Sequence, residues 1–124
     1  NYKKFQVQAD KIKNDLINFL IDQKKSGKKV IAYGAAAKGN TLLNYAGIKS
    51  DLLPFICDAA IAKQGKYAPG SHIPILPPSA LSKGLSNFVL ILPWNIAEEI
   101  MAENFELTAS GTKFVIAVPE MRTL

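Results

Sequence analysis

The amino-acid sequence predicts an α/β fold, in which helices flank a mostly parallel β-sheet. Short apolar runs of strand length, such as KVIAY at residues 29–33, alternate with longer segments of helical periodicity. This alternation is typical of parallel strands joined by helical crossovers. The run NFVLIL at residues 87–92 is apolar after its first residue, as expected for a strand that is covered on both faces.

An amphipathic helix is predicted at the start of the chain, within residues 1–28. Its apolar residues recur at near-helical spacing, and Gly27 ends the segment. These apolar residues are Phe5, Ile12, Leu16, Phe19 and Leu20. The helix is therefore expected to precede an α/β core that comprises residues 29–124.

The core is predicted to contain five strands, over residues 29–33, 52–58, 73–75, 87–92 and 113–118, with Pro54 near the entry of the second. Helices are predicted over residues 38–45, ended by Gly47, over residues 78–83, begun by Pro78, and over residues 95–105, with Asn95 as the N-cap. Residues 59–79 are rich in Gly, Pro and Ser, which predicts a long loop around the short third strand. The expected result is a small Rossmann-like domain with an extra N-terminal helix, formed by residues 1–124 as a single domain.

Composition limits the partners of this domain. The 124 residues carry a net charge of +5, but the lysine cluster KKSGKK falls at a predicted helix end and Arg122 is the only arginine. We therefore expect no nucleic-acid partner. No apolar run reaches the roughly 20 residues that span a bilayer, and the start of the chain is unlike a signal peptide. With the single cysteine, Cys57, this predicts a cytoplasmic protein without a membrane partner.

The segment YGAAAKGN at residues 33–40 is the first candidate site. It joins the first strand to the next helix, where free amide groups attract anions in this kind of sheet. A dinucleotide-binding motif needs a glycine where Ala36 stands, and an NTP-binding loop needs a lysine where Asn40 stands. Gly34 and Gly39 therefore leave two interpretations open, a nucleotide-binding turn or a turn that is merely tight.

Asp58 ends the second predicted strand, 19 positions after Gly39. An acidic residue at about this distance binds a ribose in dinucleotide-binding folds. The alternative is a solvated carboxylate at a strand end. Cys57, beside it, is expected to be buried and unreactive.

Three separated blocks of sequence resemble one known family. YGAAAKGNTLLNYAGI begins at Tyr33, DAAIAKQGKYAPGSHIPI begins at Asp58, and ILPWNIAEEI begins at Ile91. In this order and spacing they resemble the C-terminal domain of S-adenosylmethionine-dependent sugar C-methyltransferases, which methylate nucleotide-linked 4-keto-deoxysugars. The resemblance covers nearly the whole chain, and because the chain lacks an initiator methionine we expect it to be part of a longer enzyme.

The resemblance implies a Rossmann-like domain that helps to hold the nucleotide-linked sugar. The S-adenosylmethionine site and a zinc-binding region are expected in upstream domains, so no cofactor, metal-binding residue or catalytic residue is expected in this segment. The expected partners are the nucleotide-linked sugar and the chain's own upstream methyltransferase domain. By itself the segment is expected to be inactive.

The resemblance also implies which residues contact the sugar nucleotide. Gly34, Ala35, Lys38, Gly39 and Asn40 are expected to form the phosphate-facing turn, and Asp58 to face the ribose or base. Lys63, Gln64, Gly65, Tyr67, Pro69, Gly70 and His72 are expected to lie in a long loop over the same crevice. Trp94 and Asn95 are expected at its mouth.

Some of these residues have simpler interpretations. His72 is the only histidine, but no acid or nucleophile stands beside it in sequence, so a structural or ligand-contacting role is favoured over proton transfer. Trp94 suits either base stacking or core packing. Two other functions stay open for the domain as a whole: a stand-alone module that binds a dinucleotide or CoA, and a purely structural domain.

Overall fold

The computed structural model describes residues 1–81 and 86–124. The α-helices are α1 (Tyr2–Lys25), α2 (Ala37–Ala46), α3 (Ala97–Glu103) and α4 (Phe105–Ala109). The strands are β1 (Val30–Tyr33), β2 (Ile56–Cys57), β3 (Ile75–Leu76), β4 (Phe88–Ile91), β5 (Lys113–Ile116) and β6 (Arg122–Thr123). Two short 3₁₀ helices cover Pro78–Leu81 and Trp94–Ile96.

The strands form one sheet in the order β3-β2-β1-β4-β5-β6. All neighbouring pairs are parallel except β5 and β6, which are antiparallel. This confirms the predicted α/β class and the mostly parallel sheet. From β1 the chain builds outward to β3 on one side and then crosses to β4 on the other. The order therefore reverses between β1 and β4, the position where ligands bind in many open α/β sheets.

Alternate residues of each central strand pack on opposite faces of the sheet. Val30 and Ala32 of β1 belong to the apolar cluster that includes residues of α1 and α2, whereas Ile31 and Tyr33 belong to the cluster that includes residues of α3 and α4. Strand β1 is buried over its full length. This burial on both faces is what its uninterrupted apolar sequence predicted. Within α1, Leu16 and Leu20 are buried, but Phe5 is 71% exposed.

Two local predictions are confirmed in detail. The helix predicted over residues 38–45 is α2, and Gly47 follows it with a left-handed φ of 69°. The amides of Gly47 and Ile48 donate to the carbonyls of Asn44 and Leu43, which satisfies the last turn of the helix.

The second strand is shorter than the predicted span of residues 52–58. The amides of Leu52 and Leu53 both donate to the Lys49 carbonyl in a turn, and Pro54 has no amide to give to a strand. Only Ile56–Cys57 pairs with both neighbours. The third strand likewise lies at Ile75–Leu76, slightly later than predicted.

The helix predicted over residues 95–105 is wrong at its start and in its length. Asn95 lies within a 3₁₀ turn, so Ile96 and not Asn95 occupies the N-cap of α3. The helix ends at Asn104, whose side-chain amide donates to the Ile100 carbonyl at 2.8 Å and competes with the backbone ladder.

The remaining differences concern short elements. The segment begun by Pro78 is a 3₁₀ helix that ends at Leu81, and the rest of the predicted helix, residues 82–83, lies outside the described residues. Strand β6 was not predicted, because its two exposed residues carry no apolar alternation.

Candidate functional site

The turn between β1 and α2 is held by hydrogen bonds within the protein. Gly34 N donates to the Cys57 carbonyl at 2.7 Å, and Ala36 N donates to the Gly34 carbonyl at 2.8 Å. Ala35 N donates to Asp58 Oδ2 at 2.7 Å. These three amides are therefore occupied, in contrast to the expectation that Gly34 and Ala35 offer their amides to a phosphate.

Free amides occur one step later, in the first turn of α2. Ala36 at the N-cap has no side-chain acceptor, and Asn40 N makes the first backbone bond of the helix, to the Ala36 carbonyl. The amides of Ala37, Lys38 and Gly39 have no hydrogen-bond partner among residues 1–81 and 86–124. With the positive end of the helix dipole, these three donors form an anion-attracting surface.

The two glycines of the turn have packing roles. A Cβ atom at Gly34 would lie 2.5 Å from Pro93 Cδ, and its φ is +88°. A Cβ at Gly39 would lie 2.5 Å from Leu92 Cβ, so this glycine lets α2 approach the end of β4. Because the Pro93 ring packs against Gly34, the space between the ends of β1 and β4 is closed at this point.

Asp58 joins the ends of β1 and β2. Its Oδ2 accepts from Ala35 N at 2.7 Å, and its Oδ1 accepts from Ala60 N at 2.8 Å. Lys63 Nζ lies 4.0 Å from Oδ2, and the Asp58 side chain is only 14% exposed. Since both carboxylate oxygens already accept from amides, Asp58 shapes the turn, and its predicted contact with a ribose or base would have to share these oxygens.

An open cleft of about 520 Å³ lies between the start of α2 and the loop that follows β2. We call it the α2 cleft. Its walls are mostly apolar and carry a few polar side chains, a composition typical of small-molecule sites. The lining residues are Ala35, Ala37, Asn40, Thr41, Ile56, Lys63, Lys66, Tyr67, Ala68, Pro69, Ile75 and Leu92.

Two lysines give the α2 cleft positive charge. Lys63 Nζ donates to the Ala35 carbonyl at 3.0 Å. Lys66 is exposed, and its ammonium group has no hydrogen-bond or ion-pair partner within the part of the chain that the structure describes. Lys38, in the first turn of α2, is also exposed and equally free within that part. Of these three lysines, Lys63 and Lys66 line the cleft and Lys38 does not.

Asn40 leaves a polar atom of the cleft wall unsatisfied. Its Nδ2 donates to the Pro69 carbonyl at 3.1 Å, whereas its Oδ1 is buried and has no partner among the described residues. Buried acceptors nearly always find a donor. This oxygen, however, remains an unsatisfied acceptor within the cleft wall, out of contact with solvent.

Other predicted site residues build the loop without lining the cleft. Gln64 Nε2 donates to the Asp58 carbonyl at 2.8 Å, and Gly65 N donates to the Ile75 carbonyl at 2.9 Å. A Cβ at Gly70 would lie 2.5 Å from Asn44 Oδ1. His72 is exposed and stacks on Tyr67, with ring centroids 4.2 Å apart. These contacts fix the loop over the cleft.

Trp94 and Asn95 lie elsewhere. They line a separate depression of about 270 Å³ together with Arg122 and Leu124, which we call the Trp94 depression. Trp94 is half-buried and packs on the apolar cluster of α3 and α4. The structure therefore does not bring these two residues to the α2 cleft, because the chain turns toward the other face of the sheet after Pro93.

Three further observations limit the chemistry of the site. Burial raises the pKa of the Cys57 thiol to about 12, in agreement with the prediction of an unreactive cysteine. Within residues 1–81 and 86–124, no three His, Cys, Asp or Glu side chains lie close enough to hold a metal ion together. No helix in those same ranges has the length and apolar character needed to cross a membrane.

Sequence reasoning missed Lys66, Ala37 and Thr41 as lining residues. Lys66 is flanked by Gly65 and Tyr67, both of which the family resemblance had named. This position between two named residues was the signal that the sequence offered. In the folded chain, Ile75 N donates to the Lys66 carbonyl at 2.8 Å, which holds Lys66 beside the third strand.

Comparison with known proteins identifies the family of this chain. A sequence profile described as the C-methyltransferase C-terminal domain matches residues 1–119. The chain is 32% identical over 123 residues to the C-methyltransferase NovU of Streptomyces niveus, covering 99% of this chain. It spans 29% of the length of that relative. This chain belongs to the family of C-methyltransferase C-terminal domains.

Proposed function

We propose that this domain holds the diphosphate and base of a nucleotide-linked keto-deoxysugar in the α2 cleft. We further propose that the whole protein is a cytoplasmic, S-adenosylmethionine-dependent C-methyltransferase that acts on this sugar. The family supports methyl transfer to carbon as the general activity. The nature of the acceptor is inferred from the cleft and from the resemblance of its residues.

One observation carries the proposal: the α2 cleft combines anion-binding donors with an apolar wall. Ala37, whose amide is free, lines the cleft at the start of α2, and Lys63 and Lys66 line it from the facing loop. Lys38 and Gly39, whose amides are also free, follow Ala37 in the first turn of α2 but do not line the cleft. These groups suit the two negative charges of a diphosphate. The apolar wall and the exposed Tyr67 suit the base and the deoxygenated sugar.

In this proposal the domain positions the substrate and does not perform the chemistry. Charge-assisted hydrogen bonds from the lysines and the first turn of α2 would fix the diphosphate. Fixing the remote part of a substrate orients its reacting carbon toward a methyl donor bound elsewhere. The whole enzyme would thereby gain rate from a domain that positions the substrate.

The described residues do not fit the two cofactors that the family resemblance implies. Zinc needs several cysteine or histidine ligands together, whereas Cys57 is buried and protonated and lies in no such cluster. S-adenosylmethionine carries a sulfonium cation, which the lysines of the α2 cleft repel. We therefore propose that both cofactors bind in the remainder of the whole protein.

The proposal predicts that Lys66→Gln weakens binding of a thymidine diphosphate-linked sugar. The loss of one charge-assisted contact to phosphate is expected to cost about 1–2 kcal/mol, or about five- to thirtyfold in Kd. Isothermal titration calorimetry at fixed low salt measures the change. Lys113→Gln is the matched control, because it removes the same charge from an exposed lysine at the opposite end of the sheet.

The other two functions give different results in this titration. A dinucleotide- or CoA-binding module would bind NAD or CoA more tightly than the sugar nucleotide, although Pro93 closes the space beside Gly34. A purely structural domain is favoured by the packing roles of Gly34 and Gly39. A purely structural domain would bind none of these ligands. If a ligand does bind, equal Kd values for Lys66→Gln and Lys113→Gln would count against binding in the α2 cleft.

A further inference from the structure

Tyr67 and His72 form a coplanar aromatic pair on the loop that borders the α2 cleft. Their ring centroids lie 4.2 Å apart, and the ring planes differ by 5°. Although His72 covers one face of its ring, Tyr67 remains 56% exposed. Tyr67 lines the α2 cleft, whereas His72 does not.

The backbone holds this pair in place. Tyr67 bridges Pro74 in antiparallel fashion, and Ala68 N donates to the Ile73 carbonyl at 2.9 Å. His72 N in turn donates to the Ala68 carbonyl at 2.9 Å. His72 has a φ of 60°, a left-handed conformation that is uncommon for residues other than glycine. In this conformation the imidazole stacks on the ring of Tyr67.

We infer that Tyr67 is the stacking surface for the nucleobase, and that His72 positions it. This inference rests on the proposed function, because it assigns the base of the same ligand to one side of the α2 cleft. An exposed aromatic side chain normally samples several rotamers, so a ligand that stacks on it must first order it. A ring that is stacked on a second ring is already oriented. Such a preorganised platform binds a planar base without a further ordering cost.

The inference also separates Tyr67 from Trp94, the other aromatic residue considered for base stacking. Trp94 lies in the Trp94 depression and packs on the core. Lys63 and Lys66, by contrast, line the same cleft as Tyr67. An aromatic face close to ammonium groups is the combination that recognises a base joined to phosphates. Because every base offers a π-face, stacking here discriminates a nucleotide from a bare diphosphate and hardly discriminates one base from another.

The experiment compares thymidine 5′-diphosphate with inorganic pyrophosphate, each titrated into the 124-residue chain. For Tyr67→Ala we expect at least about fivefold weaker binding of thymidine diphosphate, with pyrophosphate affinity unchanged. Tyr67→Phe keeps the ring and is expected to stay within about twofold of the wild type. Tyr67→Leu keeps a large apolar side chain without an aromatic ring, so it replaces Tyr67→Ala in the test if the alanine variant does not fold.

His72→Asn tests the positioning role. Asparagine tolerates a positive φ, so the change removes the imidazole while keeping the backbone. We expect a smaller loss, about two- to threefold, again for thymidine diphosphate and not for pyrophosphate. A general structural disturbance would weaken both ligands alike, and therefore would not give this selective change.

Each outcome bears on the inference. A selective loss in Tyr67→Ala and Tyr67→Leu, with Tyr67→Phe unaffected, supports it. If thymidine diphosphate binds and Tyr67→Ala binds it equally well, stacking is refuted while the proposed function stands. If the loss is equal for both ligands, stacking is likewise refuted. If neither ligand binds the wild-type chain, the inference and the proposed function fail together.

Discussion

Gly34→Ala is expected to lower the free energy of unfolding by about 2–5 kcal/mol. Two costs add at this position. A left-handed φ of +88° disfavours any residue with a Cβ atom, by about 1–2 kcal/mol. The new methyl group would also lie 2.5 Å from Pro93 Cδ and 2.7 Å from Pro93 Cγ, and overpacking of this kind costs about 1–3 kcal/mol. Urea or thermal unfolding followed by circular dichroism measures the change.

Gly27→Ala is the matched control for the backbone cost. Gly27 has a φ of +74°, but a Cβ atom there meets nothing within 4 Å. The free energy of unfolding of the control should therefore fall only by the backbone cost, about 1–2 kcal/mol. The double variant Gly34→Ala/Pro93→Ala removes the clashing ring, so the two changes should couple in a double-mutant cycle. A Gly34→Ala protein no less stable than Gly27→Ala would contradict the close packing of Pro93 on Gly34.

Asp58→Ala is expected to lower the free energy of unfolding by about 2–4 kcal/mol in the absence of any ligand. The change leaves the amides of Ala35 and Ala60 without their acceptor. Each unsatisfied, partly buried amide costs about 1–3 kcal/mol, less where water reaches it. The measurement is chemical unfolding of the ligand-free chain, so a contact with ribose plays no part in the result.

Asp58→Asn refines this prediction. Each carboxylate oxygen accepts from a different amide, and an asparagine keeps only one acceptor and turns a donor toward the second amide. We therefore expect Asn to recover at most part of the loss. Asp51→Asn, at an exposed position, is the matched control and should be close to neutral. Full stability of both Asp58 variants would show that this residue is a solvated carboxylate without a structural role.

The sequence predicted the elements whose signals are local. The buried strands β1 and β4 are visible as uninterrupted apolar runs, and the end of α2 is visible as Gly47, which adopts the φ that a helix C-terminus needs. The break at Asn104 and the start of α3 were not predictable. They depend on a side-chain bond to Ile100 and on a 3₁₀ turn, which leave the apolar periodicity almost unchanged.

For the candidate site, the sequence predicted which part of the chain forms the cleft better than it predicted what each residue does there. Ala35, Asn40, Lys63, Tyr67 and Pro69 do line one cleft. The role of Gly39 depends on its distance from Leu92, and that distance is set by how α2 lies across the sheet. In the same way, Asp58 accepts hydrogen bonds from backbone amides that lie beside it only in the folded turn. Periodicity and spacing contain no information about such contacts between distant parts of the chain.

The binding of a nucleoside diphosphate in the α2 cleft is tested most directly by mapping amide chemical shifts. The ¹⁵N-labelled chain is titrated with thymidine 5′-diphosphate up to millimolar concentration. We expect the largest changes at the free amides of Ala37, Lys38 and Gly39 and in the loop at residues 66–68. Changes that concentrate around Trp94 and Arg122, or a folded protein whose spectrum does not change, would contradict binding in the α2 cleft.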